Sequence, residues 1–254
     1  MSKAELLYGQ RPLEAFSEPP SQLDLSASEN IALDDVEISY SLFEVPMDTV
    51  QHVLPAALHP SVPAVFGATF WRVPASPFGP FALSYVGPAC RTGIKPRHMV
   101  TAAWCDNEQA GSYMSANYGF SFTKAEILCR ETYDRIHSSV VVDGRSILDI
   151  TTTDCVPLVG AGATVKYSPS LNLTRFDDRL VFAQFEAAYT FERVLRGVVQ
   201  NNQFDPNETG DVELVPNYPI AGTYAVCDVQ LLPVRFAADP VVPAEQGGAI
   251  KLSR

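Results

Sequence analysis

The side chains best suited to chemistry crowd one short stretch of this sequence, between Asp106 and Ile127. Tyr113, Ser115, Asn117, Tyr118, Ser121 and Thr123 offer hydroxyls and an amide. Such groups hydrogen-bond a carbonyl or enol and steady developing negative charge without forming a covalent bond. Tyr113 and Tyr118 fit equally well as packing residues whose hydroxyls reach the surface. Lys124 adds an amine, either a nucleophile or a rim lysine paired with Glu126 or Glu108. Arg72 and Arg97 are of the right type to anchor a substrate carboxylate, although outward-facing strand positions explain both.

These residues need a corner to hold them, and the pattern supplies one. Asp106-Asn107-Glu108-Gln109-Ala110 reads as a strand end turning into a short helix, and Gly119 as the entry to a second strand. Folds display side chains into cavities at corners of this kind. Upstream, a strand is expected near Val36, where Val36, Ile38 and Tyr40 alternate with Glu37 and Ser39. Pro46 suits a first helical turn, Val50, Val53 and Leu54 give that helix an apolar face, and Pro55 ends it. Residues 65–71 are too apolar for a half-exposed strand and predict one covered on both faces. Further strands are expected at 81–86 after Gly79-Pro80, at 98–104, and at 125–132. Val140-Val141-Val142, Asp143-Gly144 and Ser146-Ile147-Leu148 predict a tight hairpin. Residues 164–167 read as a strand, 180–199 fit helix or strand, and 222–236 read as the closing strand. The resulting division is an arm at 1–34, one domain at 35–238 and a tail at 239–254. Many short strands and few helices make this a β-rich α+β domain, a barrel or sandwich with a central cavity.

Composition narrows the function. An apolar content of 46% over 254 residues is ample for a core. A formal charge of −11, without a Lys/Arg cluster, repels nucleic acid and anionic membrane on average. Arg91, Lys95 and Arg97 form the one local basic group, read as a solvated loop. No apolar run is long enough to span a membrane, and Met1-Ser2-Lys3-Ala4-Glu5 lacks a secretory pattern, so a cytoplasmic protein is expected. Cys90, Cys105, Cys129, Cys155 and Cys227 are widely spaced and mostly flanked by apolar residues, which suits thiols in a reducing compartment. His52, His59, His98 and His137 are not at metal-ligand spacing, so no metal is expected. There is no Gly-x-Ser-x-Gly elbow and no Gly-x-Gly-x-x-Gly loop, which disfavours a serine hydrolase and a nucleotide cofactor.

The 106–127 stretch resembles the acetoacetate decarboxylase family. There an Asp-Asn-Glu-x-Ala turn is followed by Gly-Arg-Glu and then Gly-Tyr-Pro-Lys-Lys-x-Ala. The first lysine of the family attacks a ketone, and the imine nitrogen absorbs the electrons left when carbon dioxide departs. Laid on without gaps, the resemblance puts Phe122 in that lysine's place and Thr123 in its partner's. Leu83 takes the place of the assisting glutamate, Ser115 and Ala116 that of the Arg-Glu pair, and the family's first-strand arginine falls about Val36. The resemblance spans about residues 30–235. It implies a β-cone or double-barrel with a central apolar cavity, a few peripheral helices and an oligomeric state. It also gives Lys124 a second meaning, since residues i and i+2 of a strand share a face. A relocated amine there would be displaced by about 6 to 7 Å, which is large against the precision of nucleophilic attack.

The expectation is a cofactor-independent enzyme acting non-covalently on an apolar carbonyl or polyketide-like small molecule, by a lyase, isomerase or cyclase step. Ala68, Phe70, Leu83 and Phe122 would hold the apolar part of the ligand, with Ser115, Ser121 and Thr123 also lining the site. Tyr113, Asn117 and Tyr118 would meet the polar part. The alternatives are a non-catalytic carrier of small hydrophobic molecules and a Schiff-base enzyme using Lys124. A homo-oligomer is expected in each case.

Overall fold

The computed structural model of the chain describes residues 7–16, 21–25, 30–158, 167–250 and 252. The expected break at 157–162 falls partly outside these residues, as does most of the strand expected at 164–167. Among the described residues the molecule is one large mixed sheet with two α-helices.

Strand β1 (Ile31–Glu44) starts five residues earlier than the alternation at Val36 predicts, since its register with the closing strand shifts between Leu33 and Val36. Asp35 takes a positive φ of 54° there, and this bulge breaks the period-2 pattern that betrays a strand. Helix α1 (Met47–Val53) follows Pro46 and buries Val50 and Val53. After β2 (His59–Pro60), β3 (Val65–Val73) is buried on both faces, as its composition predicts. Strand β4 (Phe81–Thr92) is shared by two halves of the sheet. The single strand expected at 98–104 is in fact two, β5 (Lys95–Met99) and β6 (Ala102–Cys105). Each pairs with a different half of β4: β6 with Leu83 to Val86, β5 with Ala89 to Thr92.

Helix α2 (Glu108–Tyr118) then leads through Gly119 into β7 (Phe122–Lys124) and on to β8 (Glu126–Thr132). Strands β9 (Arg135–Val142) and β10 (Arg145–Pro157) form the expected hairpin, with Asp143 at φ 49° and Gly144 at φ 75°. Both central residues having positive φ is the signature of a type I′ turn. After β11 (Ser170–Phe176), the ambiguous 180–199 region is extended: β12 (Arg179–Phe185) and the long β13 (Ala187–Phe204) run through it. Strand β14 (Tyr218–Leu231) pairs with both β1 and β13. The tail docks on its own chain, where β15 (Ala237–Ala238) bridges β12 and β16 (Ala249–Ile250). The described part of the arm is likewise pinned to the body, with Gly9 N donating to Leu58 O at 2.7 Å and Arg11 paired with Asp211.

Two apolar interiors result, on opposite faces of β1, β3 and β4. One is built on Phe43, Phe66, Phe70, Trp104, Cys129 and Ile150. The other is built on Ile38, Trp71, Leu83, Tyr118, Phe120 and Phe185. Alternation along β3 explains the split, since Phe66, Ala68 and Phe70 point one way and Trp71 and Val73 the other.

Candidate active site

The corner is locked from both ends. The Asn107 carboxamide oxygen accepts from the backbone N–H of Gln109 at 3.0 Å and of Ala110 at 3.1 Å, capping α2. Its Nδ2 donates to Phe78 O at 3.0 Å and Pro80 O at 3.3 Å, tying the helix start to the turn before β4. The Asp106 carboxylate accepts from Ala82 N at 2.7 Å, and burial raises its pKa. At the other end Gly119, with φ 76°, closes the helix, and its N–H donates to Ser115 O at 2.9 Å.

Sheet register then aligns the chemistry in rows on one face. Tyr40 of β1 pairs with Thr69 of β3, Thr69 with Tyr85 of β4, Tyr85 with Ala103 of β6, and Ala103 with Phe122 of β7. The neighbouring row on the same face runs Ile38, Trp71, Leu83, Cys105, Lys124. Strands lie about 4.8 Å apart, so Tyr40 and Phe122 stand at the ends of a row roughly 19 Å long. The positions assigned by resemblance to a lysine and a glutamate, Phe122 and Leu83, therefore lie on adjacent rows of one interior.

Aromatic rings cover these rows. Phe120 stacks on Phe122 at 5.0 Å and packs against Tyr85 at 5.5 Å and Phe185 at 5.3 Å. Trp71 meets Phe185 at 5.8 Å and Tyr189 at 6.2 Å, and Tyr189 leads on to Tyr167 and Phe191. Tyr40 and Tyr189 sit deep in the fold, where removal from water is the largest cause of their raised pKa, yet each keeps some accessible surface. Burial likewise raises the pKa of Tyr167, and takes Tyr85 to about 12. Near neutral pH all four phenols are protonated hydrogen-bond donors.

At the far end of the row the Tyr40 hydroxyl and His98 Nε2 are hydrogen-bonded at 3.0 Å. His98 is buried, which lowers its pKa to about 4 and keeps the ring neutral. Its ring packs over Gly67, where a Cβ would come within 2.9 Å of Nε2. Tyr167 packs on Tyr40 at 5.7 Å, and its own buried hydroxyl faces that of Thr223.

The near end opens as a groove of about 630 Å³, lined by Cys105, Gly111, Ser115, Phe122, Lys124 and the arm's Gln22, among others. Burial is the main cause of the Cys105 thiol's rise to about 11, so it is a protonated thiol in this wall. Among the described residues no group of three His, Cys, Asp or Glu side chains is placed to hold a metal ion.

The expected site residues fare differently. Leu83 and Tyr118 are fully buried in the aromatic interior, and the Tyr118 hydroxyl meets that of Tyr113, whose ring lies 6.3 Å away. Tyr113 is half-buried against Phe78 at 4.9 Å. Asn117 spends its Nδ2 on Tyr113 O at 2.9 Å, leaving a buried, unpartnered Oδ1. Ser115, Phe122 and Lys124 line the groove. Ala68 and Phe70, in contrast, belong to the opposite interior and are not brought together with Leu83 and Phe122. Thr123 pairs with Trp104, so alternation turns it to that same opposite face, where it is exposed. Ser121 is exposed, and its hydroxyl accepts from Ser21 N of the arm. Arg97 is buried rather than solvated, donating to Gln184 Oε1 at 2.6 Å and Thr92 O at 2.8 Å while lying over Phe236. Arg72 is paired with Glu37. Sequence reasoning missed Tyr40, Tyr85, Tyr189 and His98 as a group. Their convergence follows from strand register, to which Tyr40 in an alternating run was the one local pointer.

The fold is the acetoacetate decarboxylase-like one. Among solved structures, the chain superposes on acetoacetate decarboxylase from Legionella pneumophila subsp. pneumophila str. Philadelphia 1 with a TM-score of 0.70 and 17% identity, over 86% of this chain and 92% of that one. The enduracididine biosynthesis enzyme MppR, complexed with the condensation product of pyruvate and imidazole 4-carboxaldehyde, matches at 0.64 and 16%, over 91% and 96%. An acetoacetate decarboxylase-like enzyme from Sphingomonas wittichii RW1 matches at 0.65 and 11%, over 91% and 95%. No protein-family model and no curated protein matches the sequence.

Proposed function

We propose that this chain is a cofactor-independent enzyme that binds an apolar carbonyl or polyketide-like small molecule non-covalently in the aromatic interior, and acts as a lyase, isomerase or cyclase. The observation carrying this reading is the shared face of Leu83 and Phe122, walled by aromatic rings and approached by protonated phenols. Such a surface excludes water and orients a ligand, and hydroxyl donors inside it stabilise a developing enolate or alkoxide. MppR, of similar fold, holds a condensation product of pyruvate in its structure, which supports carbonyl compounds as the class to screen. Tyr118, buried beside Tyr113, remains the polar contact at the helix end, with the unpartnered Oδ1 of Asn117 next to it. A homo-oligomer accompanies this reading, checked by light scattering, as does a cytoplasmic setting, supported by five free thiols.

A second reading has its own observation: Lys124 lines the groove beside Phe122 and Cys105. One experiment separates the readings. Carbonyl and polyketide-like compounds are screened for turnover, then reduced with borohydride on the protein and weighed by intact mass. Turnover without an adduct supports the proposal. An adduct that disappears in Lys124→Ala establishes the amine route instead, and tight binding of a ligand recovered unchanged establishes a carrier.

A further inference from the structure

We propose that Tyr40, oriented by His98 in the space that Gly67 leaves open, borders a hollow beside the aromatic rows and is the hydrogen-bond donor to the carbonyl oxygen of the bound ligand. This deepens the function proposed above and rests on its carbonyl ligand. Three features converge on Tyr40. Its ring keeps accessible surface despite its depth in the fold. Its hydroxyl is held at 3.0 Å by a buried imidazole, with the two rings edge to face at 5.8 Å. The sheet is dented to admit that imidazole, since Gly67 lies opposite Gly87 in the register and has no side chain to collide with His98. A glycine at a two-face-buried strand position weakens the strand unless something must approach closely, and here the approaching group is the His98 ring.

The protonation states fit a donor role. A neutral imidazole carrying its proton on Nε2 donates to the phenolic oxygen, which leaves the phenolic O–H for a ligand oxygen and strengthens it as a donor. Tyr85 and Tyr167 each raise the pKa of Tyr40, so their hydroxyls share its surroundings. The ligand oxygen would thus meet a neutral donor in a water-poor setting, the condition under which a hydrogen bond to a forming enolate is most effective. Tyr40 touches the ligand in this arrangement, while His98 positions it.

Acetophenone and ethylbenzene test this directly, being nearly the same shape with C=O replaced by CH₂. Calorimetry gives the two affinities, and the carbonyl stretch of ¹³C-labelled acetophenone reports the hydrogen bond. Wild-type protein should prefer acetophenone by roughly 3- to 10-fold, the worth of one net hydrogen bond, with the stretch shifted to lower frequency. Tyr40→Phe should lose the preference for acetophenone, whose carbonyl then enters without a donor, and return the stretch to its value in an apolar solvent. His98→Leu should lose most of the shift, and His98→Gln, which can still hydrogen-bond Tyr40, should restore part of it. Ethylbenzene affinity unchanged in the variants shows that the hollow is intact. If Tyr40→Phe keeps both the preference and the shifted stretch, the inference is overturned while the hollow stands. If wild-type protein binds neither compound, the aromatic site and the function proposed for it fall as well.

Discussion

Acid should weaken this fold in a manner that can be traced to one imidazole. His98 in the unfolded chain takes up a proton near its ordinary pKa of 6.5, whereas burial lowers the folded value to about 4. Above the unfolded value both states are neutral and the residue is indifferent to pH. As pH falls below it the unfolded chain binds the proton and the folded one does not, so stability drains away until the folded pKa is passed. With about 1.4 kcal/mol per pH unit of difference, the loss reaches roughly 2 kcal/mol by about pH 5 and on the order of 3 kcal/mol by about pH 4. The groups packed around the ring are the phenol of Tyr40 and, beyond it, that of Tyr167, neither of which ionises in this range. Carboxylates elsewhere titrate over the same interval, so the quantity to measure is a difference. Urea unfolding of wild-type protein and His98→Gln at about pH 7.5 and about pH 5 isolates it. The variant should fall by roughly 2 kcal/mol less than wild type between those conditions. Parallel falls in the two proteins would mean that His98 is protonated in the fold, or reaches water, and the account of a dry, neutral imidazole would be wrong.

Two further perturbations probe the corner that displays the site. Asn107→Ala removes the cap of α2 together with both bonds to the preceding turn, and should cost about 1 to 3 kcal/mol by denaturant unfolding. Ligand binding in the groove should weaken alongside. Gly119→Ala imposes a left-handed φ of 76° on a residue with a Cβ that would come within 2.8 Å of Thr174. A loss of at least about 1 kcal/mol and a lowered Tm are expected, and a variant as stable as wild type would show that the helix end is placed differently.

Much of the fold was legible because local signals agreed with it. The Asp143-Gly144 turn, the two-sided burial of β3, the α1 boundaries and the strand–helix–strand corner all follow from residue types that admit few alternatives. Legibility failed where the local period is interrupted. The bulge at Asp35 hid the first residues of β1, and the crossing at Val100 and Thr101 hid the division of β5 from β6, since an apolar run looks the same whether it serves one sheet half or two. The grouping of the candidate residues was half visible for a related reason. Leu83, Tyr118 and Phe122 were reachable from the corner and from the resemblance that surrounds it. Ala68 and Phe70 were grouped with them, though they face the opposite interior, because hydrophobicity says that a residue is buried but not on which side of a strand. Tyr40, Tyr85 and His98 come together only through cross-strand register over long sequence separations, which no short motif encodes.

The three strands β1, β3 and β4 form a party wall, with an occupied room on each side. Trp71 on one surface and Phe70 on the other are consecutive residues, so any change of bulk at Phe70 or Ala68 pushes on the backbone that carries Trp71 and Gly67. Remodelling the proposed ligand chamber from that wall would therefore disturb the neighbouring core at the same stroke. The freer approach is from the opposite side, through the helix and rim residues Ser112, Ser115 and Phe122, whose exchange leaves the shared partition where it is.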